Sequence, residues 1–188
     1  MKSSTTSSQE LKIRKAIVSD AGAICEIYNQ GIAEGMATFE TERRTESERR
    51  KWIGEHDDRH PILVAVRLRD VHGKTSKKMK EAILGWGSIS VYNPRPCYSG
   101  IGEVSTYVKK GFRGRKLGKV LLMALIEEAK RCGYWKILGR IFTSNVASRN
   151  LCKSCGFREV GIHEKHGKLK GRWVDIVIVE KLIHENLT

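Results

Sequence analysis

Two groups of residues in this sequence have the types and spacing to do chemistry. The first is Glu103, which opens the β-branched and aromatic run Glu103-Val104-Ser105-Thr106-Tyr107-Val108. A carboxylate on a largely covered strand loses hydration, which disfavours its charged form and makes it a better proton acceptor. A glutamate merely paired with a surface lysine would look the same in sequence. The second group is the run KKGFRGRKLGK, residues 109–119. Gly114 and Gly118 let the main chain approach a bound group, and Arg113, Arg115, Lys116 and Lys119 add positive charge. Where a helix opens in such a run, its unpaired N–H groups and its dipole favour an anion, which suits a ligand with several phosphates. The same cations also read as a solvated face on a basic protein.

The elements that must position these residues follow from local pattern. Residues 103–108 have strand composition, and alternation puts Glu103, Ser105 and Tyr107 on one face and Val104, Thr106 and Val108 on the other. From Lys116, Leu117, Leu121 and Leu125 recur at helical spacing, with Gly133 as the stop. Upstream, Leu11–Ile17 alternates as a strand. Ser19-Asp20 caps a helix over Ala21–Ala33 whose stripe is Ile24, Ile27, Tyr28 and Ile32. Met36–Thr41 reads as extended, and Thr45-Glu46-Ser47-Glu48 is a capping box opening a charged helix that turns Trp52 and Ile53 inward. Strands are predicted over Pro61–Val66 and Ile83–Tyr92, joined by a loop from Arg69 to Lys80 and followed by the Asn93-Pro94-Arg95-Pro96 turn. Trp135–Phe142 is a strand, and Asn145–Cys155 a short helix ended by Gly156. Two last strands follow, with Lys165–Gly171 as their turn. The result is an α/β (α+β) chain of order β-α-α-β-β-β-α-β-α-β-β. Residues 1–9 are a Ser/Thr-rich disordered tail and 10–188 one domain without repeats.

Composition bounds the partners. The chain has 35 Lys+Arg against 21 Asp+Glu, a net charge of +14 that favours anionic ligands such as a nucleotide cofactor or nucleic acid. The lysines at 74, 77, 78 and 80 have no aromatic residues interleaved for base stacking, so they read as a solvated hairpin tip. No apolar run approaches the roughly 20 residues of a membrane span, and MKSSTTSSQ lacks the apolar stretch of a secretory signal. The five cysteines, an odd count, suit reduced thiols in a cytoplasm, and Cys152-x-x-Cys155 reads as ordinary helix residues rather than a metal or redox pair. No metal site is expected.

The run Arg113-Gly114-Arg115-Lys116-Leu117-Gly118 resembles the acetyl-CoA signature of the GNAT N-acetyltransferases, Arg/Gln-x-x-Gly-x-Gly/Ala at a strand-to-helix turn. Lys116 stands where the family has its middle glycine. Its amide can donate if its φ is negative, whereas a positive φ would strain it and weaken coenzyme binding. Arg95-Pro-Cys-Tyr98, Glu103-Val-Ser-Thr-Tyr107-Val108, Thr38-Phe39-Glu40, Asn145 with Ser148, and Gly171-x-Trp173-x-Asp175 resemble the phosphinothricin acetyltransferase branch, over about residues 11–182. The Asn93-Pro94-Arg95 turn and the GKLKGRWVDIVIVEKL ending look most like its arsinothricin-resistance members.

The resemblance implies a GNAT fold, a mixed twisted sheet of six to seven strands with helices on both faces. It also implies acetyl transfer to the α-amine of a small anionic amino acid or analogue, of the phosphinothricin, methionine sulfoximine or arsinothricin type. Glu103 then resembles the base. Arg113, Gly114, Arg115, Lys116, Leu117, Gly118 and Lys119 form the coenzyme cradle, with Tyr107 or Val108 giving a main-chain N–H to the oxyanion and Asn145 and Ser148 meeting the pantetheine arm. Arg95 resembles the cation for the anionic tail, and Phe39, Glu40, Tyr98 and Trp173 line the substrate pocket. Many family members carry a tyrosine as proton donor where this chain has Leu151-Cys152; Cys152 or water takes its place. Family members often pair, so a homodimer is expected. Acetylation of another amine, a protein that senses acetyl-CoA without turnover, and a basic nucleic-acid-binding module are the alternatives.

Overall fold

The computed structural model describes residues 11–72 and 77–187, with the backbone alone at 69–72 and 77–80. The tail expected at 1–9 lies outside the described residues, as do Lys74 and the side chains of Lys77, Lys78 and Lys80. The strands are β1 (Leu11–Lys15), β2 (Ile62–His72), β3 (Lys77–Val91), β4 (Ile101–Val108), β5 (Lys136–Phe142), β6 (Arg158–Leu169) and β7 (Arg172–Leu182). The helices are α1 (Ala21–Glu34), α2 (Glu46–Gly54), α3 (Leu117–Arg131) and α4 (Val146–Ser154). The element order is the one the local patterns predict.

The strands form one sheet in the order β1-β2-β3-β4-β5-β7-β6. Every neighbouring pair is antiparallel except β4 with β5. That parallel pair is three residues long, Ile101↔Lys136, Gly102↔Ile137 and Glu103↔Leu138. From Val104 onward one edge of β4 therefore has no strand partner, and its outward backbone groups face a gap.

Helices cover both faces. α1 and α2 bury Ile24, Ile27, Tyr28, Ile32 and Ile53 against Val64, Val66 and Trp86. α3 buries Leu117, Leu121 and Leu125 on the other face against Leu63, Leu84, Ile89 and Val104, joined by Cys152 and Cys155 of the α4 segment. The alternation of β4 holds, since Val104 enters the α3 core while Tyr107 stacks on Trp86 at 4.7 Å and meets Tyr28 edge-on. Thr45 and Glu48 form the expected capping box: Glu48 N–H donates to Thr45 Oγ1 at 3.2 Å and Thr45 N–H to Glu48 Oε2 at 2.6 Å.

Several expectations are corrected. Asp20 stands at the N-cap of α1 without capping it by its side chain. Its buried carboxylate instead accepts from Arg14 at 2.7 and 3.0 Å and from the Ile17 N–H at 2.9 Å, which pairs a charge that burial would otherwise penalise. The 69–80 loop is shorter than composition suggests, because β2 reaches His72 and β3 starts at Lys77 in continuous antiparallel register. The last turn is likewise short, Lys170-Gly171, because β6 runs on to Leu169 through an irregularity between His163 and Gly167. Cross-strand hydrogen bonding overrides polar composition in both hairpins. Met36–Thr41, read as extended, is broken by bends at Met36, Ala37 and Phe39.

Candidate active site

The gap between β4 and β5 is the centre of the site. A cavity of about 80 Å³ lies between Val104–Tyr107 of β4 and Gly139–Phe142 of β5, bordered by Ala37, Asn145 and Ser148. It shares Ala37, Thr106, Tyr107, Asn145 and Ser148 with a cleft of about 510 Å³ along the start of α3. It shares Ala37, Ser105, Tyr107, Arg140 and Phe142 with a second cavity, of about 730 Å³, into which Glu103 faces. The two larger spaces thus meet at the point where the sheet parts.

The α3 cleft gathers Tyr107, Val108, Arg113, Gly114, Lys116, Leu117, Gly118, Lys119, Asn145 and Ser148, ten of the residues singled out from sequence. No side chain caps α3, so its first amides are left for a ligand, and the dipole of a 15-residue helix points at the same place. Gly118 sits where a Cβ would come within 3.1 Å of Leu151 Cδ2, so a side chain there would narrow the cradle. A phosphate-bearing coenzyme fits these features. Arg113 steadies the loop, donating from Nε to the Val108 carbonyl at 3.1 Å and from Nη1 to Glu34 at 2.7 Å. Arg115 does not line the cleft; its guanidinium lies over Phe112, 5.5 Å from the ring centre.

Lys116 takes the unfavourable of its two options, with φ 61° and ψ 1° at the N-cap of α3. A left-handed conformation crowds the Cβ of an L-residue against its own backbone, at a cost of about 1 kcal/mol or more. Lys116→Gly should therefore raise the stability of the fold by about 1 kcal/mol, read as a higher urea midpoint at unchanged slope. A lower midpoint would mean that the lysine side chain contributes more than its backbone costs.

In the second cavity Glu103 is held by a residue the sequence reading missed. Arg140 donates from Nε to Glu103 Oε1 at 2.8 Å and from Nη2 to Oε2 at 2.6 Å. Glu103 is mostly covered, with 19% of its side chain exposed, and it combines the two environments weighed from sequence: a covered strand and an ion pair, made with an arginine rather than a surface lysine. The pair holds Arg140 above the ordinary guanidinium range, so it stays a cation. A signal for Arg140 did exist: it is the lone charge within the strand interior of Lys136-Ile-Leu-Gly-Arg140-Ile-Phe142. Tyr107 borders both larger spaces, and burial, with Tyr28 beside it, pushes its hydroxyl well above the ordinary phenol range, which keeps it neutral.

Phe39 and Glu40 line this cavity. Phe39 meets Phe142 edge-on at 4.7 Å, and Glu40 accepts from Arg44 Nη2 at 2.6 Å on both oxygens. Their loop is pinned from beneath by buried Asn29, whose Oδ1 accepts from the Arg44 N–H at 2.9 Å and whose Nδ2 donates to the Arg44 carbonyl at 2.9 Å. Asn29→Ala would leave the Arg44 N–H unpaired and its carbonyl with the Cys25 thiol alone, at 3.0 Å, at a cost of about 1–3 kcal/mol. It should raise the KM for the acceptor more than it lowers kcat, and steady-state rates with saturating donor check this.

Three predicted pocket residues lie elsewhere. Arg95 and Tyr98 are exposed beside the short helical turn Pro96–Tyr98 and border a separate hollow with Arg59, His60 and Tyr134, because that turn carries the chain past the outer end of β4. Trp173 is neither core nor pocket: it is 56% exposed, with Lys168 Nζ 4.6 Å from its ring centre. Cys152 is buried in the α3 core, its thiol pushed up to about 12 by burial, and it borders none of the three spaces, so it is misplaced as a proton donor. Asn145 caps α4 by accepting from the Ser148 N–H at 3.1 Å, and its Nδ2 donates to the Met36 carbonyl at 3.0 Å.

A sheet parted at one parallel pair, with an uncapped helix end on one side and a carboxylate on the other, leaves room for two ligands to meet in the gap. The model of the acetyltransferase (GNAT) family matches residues 26–157. The chain is 30% identical to phosphinothricin N-acetyltransferase of Streptomyces coelicolor, over 92% of this chain and 96% of that one. It is 31% identical to the L-methionine sulfoximine/L-methionine sulfone acetyltransferase of Pseudomonas aeruginosa, over 89% and 92%. A solved GNAT superfamily phosphinothricin acetyltransferase from Sinorhizobium meliloti, in complex with acetyl-CoA, superposes with a TM-score of 0.81 at 25% identity, covering 94% of this chain and 90% of that one. The protein belongs to the GNAT acetyltransferase family.

Proposed function

We propose that the protein transfers the acetyl group of acetyl-CoA to the α-amine of a small anionic amino acid of the phosphinothricin or arsinothricin type, or of a neutral-tailed analogue such as methionine sulfoximine, directly within a ternary complex. The observation that carries this is the continuity of the two spaces through the gap between β4 and β5. In this reading the α3 amides, Gly118 and the cations Arg113, Lys116 and Lys119 hold the diphosphate of the coenzyme, and Leu117 and Leu151 flank its apolar arm. Bound acetyl-CoA supplies the thioester whose carbonyl the amine attacks. The unpaired edge of β4 near Tyr107 and Val108 donates an N–H to the oxyanion.

An ammonium substrate must lose a proton before it can attack, and Glu103 takes it, directly or through a water. Both of its oxygens are engaged by Arg140, so accepting a proton means loosening one of two hydrogen bonds. Water returns the proton to the departing thiolate, since Cys152 is out of reach. Arg95, Tyr98 and Trp173 lie outside the cavity of one chain, so they reach the site only through pairing of two chains. Exposed Val160, Ile162 and Trp173 on β6 and β7 support such a homodimer. Five unpaired cysteines suit the cytoplasm, and no described helix is long and apolar enough to cross a membrane.

The test is initial-rate kinetics with acetyl-CoA over phosphinothricin, methionine sulfoximine, arsinothricin and the common amino acids. Intersecting double-reciprocal lines are expected. A parallel pattern with a labelled acetyl-enzyme would overturn direct transfer. Salt-sensitive DNA or RNA binding without any affinity for acetyl-CoA would overturn the function itself.

A further inference from the structure

The geometry points to Arg140 as the residue that selects an anionic tail on the substrate, an inference that rests on the second cavity being the amino-acid site. Arg140 borders both the gap and the cavity that Glu103 faces, and 52% of its side chain is exposed. Its contact with Glu103 is side-on, through Nε and Nη2. A guanidinium has five N–H donors, arranged so that it can grip one oxyanion along the Nε–Nη2 edge and another along the Nη1–Nη2 edge. Nη1 has no protein acceptor among the described residues, so the second edge is open.

The other guanidinium in this cavity is differently committed. Arg44 spends Nη2 on both oxygens of Glu40 and directs Nη1 to Glu48 at 3.3 Å. Arg95, the cation expected from sequence, borders a separate hollow. Arg140 is thus the described arginine of the cavity with an edge to offer. The edge matches two oxygens on one centre, as in a phosphinate, an arsinate or a carboxylate.

One guanidinium then does two things. Its inner edge orients Glu103 toward the amine, and its outer edge holds the far end of the same substrate. An amino acid with a neutral tail leaves the outer edge to water and gains nothing from the charge. Phosphinothricin and methionine sulfone make the comparison directly. Both are α-aminobutanoates ending in a methylated tetrahedral group with two oxygens, and they differ by one negative charge.

The experiment measures kcat/KM for both amino acids on the intact protein and on Arg140→Gln and Arg140→Lys. Wild type should favour phosphinothricin by about 10²-fold, the range of a charge-assisted, two-pronged hydrogen bond. Arg140→Gln should bring the ratio to within about threefold of unity, mostly through KM for phosphinothricin, and Arg140→Lys should restore part of it. Disturbing Glu103 lowers kcat for both substrates alike, so the ratio isolates the tail. Calorimetric titration of each amino acid into protein saturated with CoA reads the same preference without turnover. Unchanged acetyl-CoA affinity and melting midpoint show that the variants are folded; if Arg140→Gln fails this check, Arg140→Lys carries the test, and the ratio must then fall at least tenfold. Turnover with no preference in wild type, or a preference that survives Arg140→Gln, overturns this inference and leaves the proposed function standing. Wild type that binds acetyl-CoA but neither binds nor acetylates any amino acid overturns both.

Discussion

Glu103→Gln should lower kcat by about 10²–10⁴-fold near neutral pH, the usual contribution of a positioned base, and leave acetyl-CoA affinity within about twofold. Glutamine keeps the length and one acceptor for Arg140 but takes no proton from an ammonium at neutral pH. The coenzyme is spared because Glu103 lines the larger cavity and not the α3 cleft, with Ser105 and Tyr107 between them along β4. Raising the pH supplies neutral amine from solution, so the deficit should shrink as pH rises toward the amine's own range. Single-turnover rates with both ligands saturating, followed from pH 6 to 10, make the measurement. A variant with wild-type kcat and an unaltered profile would remove Glu103 from proton transfer and leave it a structural partner of Arg140.

Gly118→Leu should weaken acetyl-CoA binding by about 10²-fold or more with little loss of stability. The residue lies in the first turn of α3, on the floor of the cleft, with Leu151 across from it. A leucine there fills space that the coenzyme's diphosphate would occupy, and a loss of about 2.7 kcal/mol of contact corresponds to 10²-fold. The helix itself gains, because leucine is the better helix former by somewhat under 1 kcal/mol, which offsets the push against Leu151. Gly118→Ala should fall between, since its Cβ meets the movable end of a leucine rather than backbone. Calorimetric titration beside a thermal melt separates the outcomes. A leucine variant with wild-type affinity would mean that the coenzyme does not run along the start of α3.

Much of the fold was legible because it is written in local periodicity. The stripe Ile24, Ile27, Tyr28, Ile32 had to face a core whatever lay opposite, and Thr45 with Glu48 closes its box within four residues. The alternation that puts Glu103 and Tyr107 on one face of β4 needs no partner strand. The glycine–cation run before α3 was legible for the same reason, down to its doubtful position at Lys116. Its sign of φ was not, since a side chain does not dictate whether the loop must turn left-handed to meet the helix.

What the sequence by itself determined, then, is the order of the elements, their buried faces, the glycine–cation start of α3 and the carboxylate on β4. Tertiary structure decided which side chains meet. Arg140 reaches Glu103 across 37 residues because β5 lies parallel to β4 and the pairing stops where the carboxylate stands. The same sheet order leaves Arg95 and Tyr98 outside the cavity, and it lets Asn29 hold a loop 15 residues away. Helix and strand periods act over a few residues, whereas a contact between strands depends on the register and order of the whole sheet, which no short stretch of sequence contains.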